Sequence, residues 1–338
     1  MNVTHSLTAQ QYLVTHAVGP QQHGIRLDAF LKQRYRKRSR EQLKKAIGSG
    51  AIRLQRNQGR HVQVGQLKPS YQLIPGDEVL VLTERKPEPE VCFDYKILFE
   101  DEWLFVIHKP AHLPVHPAGR YFFNTLLIHL KTQGHQQPLK ADQDYYLVHR
   151  LDKETSGILV IAKDKAVCTR LTEQFALRSI QKKYLAIVRG LCPEEFSVNL
   201  PIQRCTHSLI ELKMMTSTAA QGGLSAQTRF RRLQAFEGFS LVECLPKTGR
   251  QHQIRVHLEA ANHPIVGDKL YGMPEQEALL YYERKHVSPE AQARLLLPRH
   301  ALHAAALEFF HPITQKQMKF EAELPPDLKV FLSGLKPV

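Results

Sequence analysis

Asp152 lies between Arg150 and Lys153 in the stretch His149-Arg150-Leu151-Asp152-Lys153-Glu154-Thr155-Ser156-Gly157, and two flanking cations favour the charged form of a carboxylate. Such a group stays an anion at neutral pH even when partly desolvated, which suits a nucleophile or a base. The elements that must hold it are legible as well. Ile158 to Ala162 is an uninterrupted apolar run of strand length, and Thr155-Ser156-Gly157 is the small polar cluster that commonly separates two elements. Asp152 is therefore expected on a loop fixed by a rigid strand.

The wider string, His-Arg-Leu-Asp-x-x-Thr-Ser-Gly-Ile-Leu-x-x-Ala-Lys from His149 to Lys163, resembles the catalytic motif of the RluA-type pseudouridine synthases, whose essential aspartate falls on Asp152. Two further segments match motifs of that family. Lys182 to Gly190 sets Tyr184 at the head of a strand, and Thr248 to Leu258 is unusually polar ahead of a helix. The resemblance implies that Tyr184 packs on the target base and helps with its proton, and that Arg255 pairs with Asp152. Elementary chemistry agrees with both roles. A tyrosine offers a flat ring for stacking and a hydroxyl for a hydrogen bond, and an arginine offers a fixed fork that matches a carboxylate. Without such a cation, burial beneath a substrate would raise the carboxyl pKa and leave it partly protonated.

The reaction so implied is the isomerisation of uridine to pseudouridine within RNA, and it calls for no cofactor. A carboxylate close to the ribose either attacks C1′ or takes a sugar proton, and the sequence leaves both routes open. Because the reacting atoms are hidden in a stacked helix, the nucleotide must be flipped out. Arg150 is expected to fill the gap or hold a phosphate, and Arg250 and His252 are expected at the RNA.

Charge points the same way. Lys and Arg number 46 against 32 Asp and Glu, a net +14 with a pI near 9.6, which favours a polyanionic partner, nucleic acid ahead of an anionic membrane. No apolar run reaches the roughly 18 residues that span a bilayer, and the first residues lack a signal-peptide core, so a cytoplasmic protein is expected. Five cysteines at 92, 168, 192, 205 and 244 form no C-x-x-C pair and are read as reduced core thiols. His252 and His257, and His300 and His303, lack a third acidic ligand at metal-site spacing, so no metal is expected.

At 338 residues two domains are the natural division. Residues 1–23 are read as a polar extension with a short strand at Tyr12-Leu13-Val14. From Gly24, Leu27, Phe30 and Leu31 show helical spacing, and Leu43, Ala46 and Ile47 repeat it, with Ser39 as the cap of the second helix. Short strands follow at Ala51 to Leu54, Tyr71 to Leu73 and Asp77 to Val81. The R-L-D-x-F-L opening, the serine-led basic helix and the P-G-D-x-V close resemble the alpha-L RNA-binding domain of the ribosomal protein S-four type, over residues 24–84. Its cations Arg36, Lys37, Arg38, Arg40 and Lys44 are massed on one short element, an arrangement that phosphates relieve with release of counterions. Residues 85–90 are a proline-containing linker.

Residues 91–338 alternate short strands, such as Leu104 to Ile107 and Tyr184 to Val188, with helices such as Asp164 to Arg178. The expected class is α+β: a mixed, largely antiparallel sheet of pseudouridine synthase type, with the small α/β RNA-binding domain at its N-terminus. Residues 274–298 read as a charged helical insertion. The chain is expected to act as a monomer on RNA, ribosomal RNA of the large subunit first and transfer RNA second. Two other classes compete with this reading, a non-catalytic RNA-binding or ribosome-assembly factor and a metal-dependent nuclease, the latter disfavoured by the lack of clustered carboxylates.

Overall fold

A computed structural model of the chain describes residues 2–6, 11–36, 38–56, 60–61, 67–84, 87–133 and 144–338. The chain divides into two compact units, Met1–Pro87 and Glu88–Val338.

The first unit is an antiparallel five-stranded sheet carrying two helices. Its strands are β1 (Asn2–Ser6), β2 (Gln11–Ala17), β3 (Ile52–Arg56), β4 (Arg60–His61) and β5 (Glu78–Glu84), in the order β1-β2-β5-β3-β4, with α1 (Leu27–Arg34) and α2 (Arg40–Gly48) between β2 and β3. The helical spacing does what the sequence suggests: Leu27, Phe30 and Leu31 of α1 and Leu43 and Ile47 of α2 are buried against Val14, Ile52, Leu54, Val79 and Val81. Ser39 caps α2, its hydroxyl accepting from the Gln42 N–H at 3.1 Å. The start of the chain departs from expectation. Within residues 1–23, Asn2–Ser6 and Gln11–Ala17 are no extension but strands of the sheet, β2 pairing with β5 along its whole length, while residues 1 and 7–10 lie outside the described residues. Val14, Thr15 and His16 are buried there, a pattern that polar neighbours disguise. Tyr71 to Leu73 forms no strand and contributes only a bridge between Arg26 and Gln72.

The second unit is built on a ten-stranded mixed sheet. Its strands are β6 (Lys96–Glu100), β7 (Leu104–Lys109), β8 (Tyr146–Leu147), β9 (Ser156–Ala162), β10 (Gln181–Arg189), β11 (Glu195–Val198), β14 (Thr228–Phe236), β15 (Phe239–Pro246), β16 (Leu302–Phe310) and β17 (Gln317–Glu321). The main path runs β11-β14-β15-β10-β16-β9-β7-β6, and β12 (Ile202–Arg204) and β13 (Met214–Thr216) form a separate hairpin. Every pairing in the large sheet is antiparallel except β9 with β16. The helices are α3 (Leu126–Gln133), α4 (Lys165–Ala176), α5 (Gln253–Ala260), α6 (Glu275–Arg284), α7 (Pro289–Leu295) and α8 (Pro326–Ser333).

Two features at the middle of this sheet place the site. At the parallel crossing Gly157 has φ +119°, and a Cβ there would meet the Ala304 carbonyl oxygen at 2.2 Å, so only glycine lets β9 leave the Asp152 loop so close to β16. On the other side of β16, the β10 register slips between Lys183 and Tyr184, a bulge that re-aims the tyrosine. Of the cysteines, Cys192, Cys205 and Cys244 are buried thiols as expected, but Cys92 is exposed and Cys168 half-buried.

Candidate active site

The loop before β9 is fixed almost residue by residue. Lys109, fully buried at the end of β7, donates from Nζ to the carbonyls of Pro110, Leu113 and Lys153 at 2.8, 3.1 and 3.1 Å. Glu154 is paired with Lys269 at 2.9 and 3.0 Å and accepts from the His300 N–H. Its own carbonyl accepts from the buried Arg299. Thr155 and Ser156 hydroxyls bond to His300 Nε2 at 2.7 Å and His303 Nδ1 at 2.9 Å. Upstream, the Val160 N–H donates to His149 Nε2 at 3.0 Å, which ties the start of the loop to β9. Each of these polar groups would be costly to bury unpaired, so together they leave the loop one conformation.

Asp152 is the residue this cage presents. Its Oδ2 accepts from Arg255 Nη1 at 2.8 Å, and His252 Nε2 stands 3.9 Å away. Oδ1 accepts no hydrogen bond among the described residues, and the side chain keeps 21% of its exposure. Burial works to raise the Asp152 pKa, but the charges of His252, Arg255 and His300 and the Arg255 hydrogen bond hold it well below the ordinary carboxylate value. Burial keeps His252 near 4 and His300 near 3. Both rings are therefore neutral around pH 7, and the cation that acts on Asp152 there is Arg255.

Arg255 sits in the first turn of α5 and is itself clamped. Nε and Nη2 donate to the two oxygens of the fully buried Asp268 at 2.6 and 2.9 Å, and Asp268 also accepts from the N–H groups of Leu270 and Tyr271. The guanidinium lies 5.0 Å from the Tyr271 ring centre, and Tyr271 in turn bonds His252 Nδ1 at 2.8 Å. One fork is thus spent on position and one nitrogen is left for Asp152.

Tyr184 completes the group. Its ring packs against the two apolar clusters that meet at the middle of the sheet. Burial, then the neighbouring Asp152 and Cys244, push its hydroxyl pKa up, so it remains a phenol at neutral pH. Its hydroxyl has no hydrogen bond among the described residues. It is suited to stack and to donate rather than to act as a standing base.

The remaining expected residues fall in two places. Arg150 and Arg250 are exposed at the ends of the segments that carry Asp152 and Arg255, and Arg250 Nε reaches the Ser225 carbonyl at 3.0 Å. His252 is half-buried and faces Asp152. In the first unit Arg36, Arg40 and Lys44 are exposed, and Arg38 is half-buried with its guanidinium 5.1 Å from the Tyr35 ring centre. None of these four makes an ion pair within 4 Å among the described residues, although the charge of Lys44 reaches Asp28. Lys37 lies outside the described residues. No group of three or more His, Cys, Asp or Glu side chains with metal-holding geometry occurs among the described residues, and no described helix is long and apolar enough to cross a membrane.

Sequence reasoning passed over the supports: Lys109, Glu154, Asp268, Lys269, Arg299 and His300. Lys109 stands in the family-like string His108-Lys109-Pro110, and Asp268 in a Gly-Asp-Lys string with no phosphate-loop pattern, and neither string marks a support.

Comparison with known proteins returns one family model, described as RNA pseudouridylate synthase, matching residues 103–260. Among curated proteins, the ribosomal large subunit pseudouridine synthase D of Zymomonas mobilis is 35% identical over 320 residues, covering 92% of this chain and 94% of that protein. The ribosomal large subunit pseudouridine synthase C of Escherichia coli is 31% identical, covering 95% and 96%. Among solved structures, human RNA pseudouridylate synthase domain containing 4 superposes with a TM-score of 0.54 at 30% identity, over 70% of this chain and 92% of that one.

Proposed function

The chain belongs to the RluA-type family of RNA pseudouridine synthases, and we propose that it isomerises chosen uridines of large-subunit ribosomal RNA with Asp152 as its working carboxylate. It is an RNA pseudouridine synthase, an intramolecular isomerase. The observation that carries the assignment of the site is the split of Asp152: one oxygen is held by Arg255 at 2.8 Å while the other accepts no hydrogen bond among the described residues, on a side chain that stays partly exposed.

In the reaction the N1–C1′ bond of uridine breaks, the uracil turns while held, and C5 bonds to C1′. The C5 hydrogen leaves as a proton and N1 gains one, so no net oxidation occurs and no cofactor is called for. Asp152 stays ionised in a partly dry site because Arg255 is charged and cannot move away from Asp268. Its free oxygen meets the ribose, either as a nucleophile at C1′ or as a base toward a sugar proton. Tyr184 supplies the platform for the flipped base, and its phenol donates a hydrogen bond to it. Arg150, exposed two residues ahead of Asp152, enters the space that the flipped nucleotide leaves or binds the adjoining phosphate.

The ribosomal target is supported by the two ribosomal large subunit pseudouridine synthases to which the chain is similar and by the basic first unit, which we read as an alpha-L RNA-binding domain that anchors the substrate through Arg36, Lys37, Arg38, Arg40 and Lys44. Arg250 and His252 are assigned to RNA on the other side of Asp152. The protein works in the cytoplasm as a monomer. A non-catalytic RNA-binding factor fits less well, because a pure binder gains nothing from an anion buried where phosphates must approach.

Tritium released from C5-labelled uridine tests the reading, with ribosomal and transfer RNA from cells lacking the gene offered separately. Release from the ribosomal fraction is expected, with modified positions mapped to the large subunit. Release from transfer RNA alone would move the substrate, and release from neither would overturn the assignment.

A further inference from the structure

Three cations that the proposed chemistry does not use gather on one rim of the Asp152 site. Arg120 stands at the tip of a tight turn in which Ala118 and Tyr121 exchange backbone hydrogen bonds at 2.9 and 3.1 Å, with Gly119 at φ +59°. The turn is anchored from behind by Glu88, whose carboxylate accepts from the N–H groups of Phe122, Phe123 and Asn124. Lys153, next to Asp152, reaches the Tyr121 hydroxyl at 3.4 Å. Lys285 ends α6 in the left-handed conformation, φ +58°, with its ammonium 4.7 and 5.4 Å from the ring centres of Tyr281 and Tyr282.

The inserted helix α6 is tied to the catalytic loop: the Tyr281 hydroxyl bonds Glu154 at 3.3 Å, and Lys269, the Glu154 partner, lies 5.4 Å from the same ring. A cluster of Met273, Ala278, Ala291 and Leu295 with Ile210 gives α6 and α7 a small core of their own. Lys285 is thus presented by a rigid element. None of Arg120, Lys153 and Lys285 makes an ion pair within 4 Å among the described residues, and burial, then Lys153 and Arg120, lower the Lys285 pKa against an opposing pull from Glu154. A lysine also takes the left-handed position less readily than glycine. Like charges drawn together on a strained, pre-set rim are relieved by a bridging anion.

We propose that Arg120, Lys153 and Lys285 form a phosphodiester clamp that holds the RNA backbone beside the flipped uridine, with the insertion α6 as its outer jaw. The clamp deepens the reading of Asp152 as the site of uridine isomerisation and rests on it.

The test is the affinity of the full-length protein for a fluorescent large-subunit ribosomal RNA transcript as a function of potassium chloride. Lys285→Gly relieves the left-handed strain, so weaker binding by this variant cannot be laid to unfolding. Combined with Arg120→Gln it is expected to weaken binding about tenfold and to lower the slope of log affinity against log salt by about two. The charge-matched pair Lys319→Gln with Lys329→Gln should leave the slope unchanged. A wild-type slope in the Arg120/Lys285 variant, or an equal drop in the control pair, overturns the clamp. Failure of the wild type to form pseudouridine would instead strike the proposed function, and the slopes would still decide the clamp.

Discussion

The charges around Asp152 and those on the first unit are opposites in design. Beneath Asp152, inward of the rim, they are buried and matched, Arg255 with Asp268 and Asp152, and Lys269 with Glu154, in contacts of 2.6 to 3.0 Å. On α2 and the segment before it, Arg36, Arg40 and Lys44 are exposed, and none makes an ion pair within 4 Å among the described residues. Buried, paired charge fixes where atoms are and which protonation state they hold, and it is barely screened by salt. Exposed, unpaired charge fixes nothing locally but attracts a polyanion over a Debye length, about 8 Å at physiological ionic strength. Chemistry belongs to the first arrangement and affinity to the second.

The contrast can be broken in order of force. Asp152→Asn keeps the shape and removes the charge, and single-turnover pseudouridine formation should fall by about 10⁴-fold or more while RNA still binds. Next, Asp268→Asn leaves the Arg255 guanidinium buried without its clamp, which should cost about 3–5 kcal/mol in chemical unfolding and lower turnover although Asp268 never meets the substrate. A third variant, Lys109→Met, removes a buried donor shared by three carbonyls and should cost about 3 kcal/mol, read in the same unfolding experiment. The smallest effect is expected from Arg40→Gln with Lys44→Gln, with RNA binding about tenfold weaker or less and a salt slope lower by about two. Should the rate for bound RNA fall with those two as steeply as the affinity, the division between the regions would be lost.

The two regions also differed in how far the sequence disclosed them. Periodicity located α1 and α2, and the Ser39 cap, because those signals are local. Asp152, Tyr184 and Arg255 could be proposed together because each sits in a distinctive string, and the structure brings Asp152 and Arg255 into contact across 103 positions of sequence. The supports stayed hidden for the same reason. Lys109 finds Lys153, and Lys269 finds Glu154, only after β7, β9 and β16 are assembled, and no spacing rule marks a cation that will be buried by folding. β2 is hard to read in the sequence because Thr15 and His16, though polar, are themselves buried beside Val14, so no apolar alternation marks its buried face. The insertion was recognised as helical and charged, but its link to Glu154 through Tyr281 exists only in three dimensions.

The central claim is that Asp152 works as an anion because Arg255 outweighs burial. Burial favours the neutral acid, so if it prevailed the pKa would lie above the ordinary value near 3.9 and activity would drop as pH fell through it. With Arg255 prevailing, the folded pKa is depressed, and the carboxylate is intact until the pH is far below neutral. His252, near 4, introduces no limb in the neutral range either. The single-turnover rate constant of the wild-type protein on saturating RNA, followed from pH 8 down to pH 5, should therefore show no acid limb. A rate that falls tenfold per unit below about pH 6.5 would show the carboxylate taking up a proton in the working range, and would contradict the account.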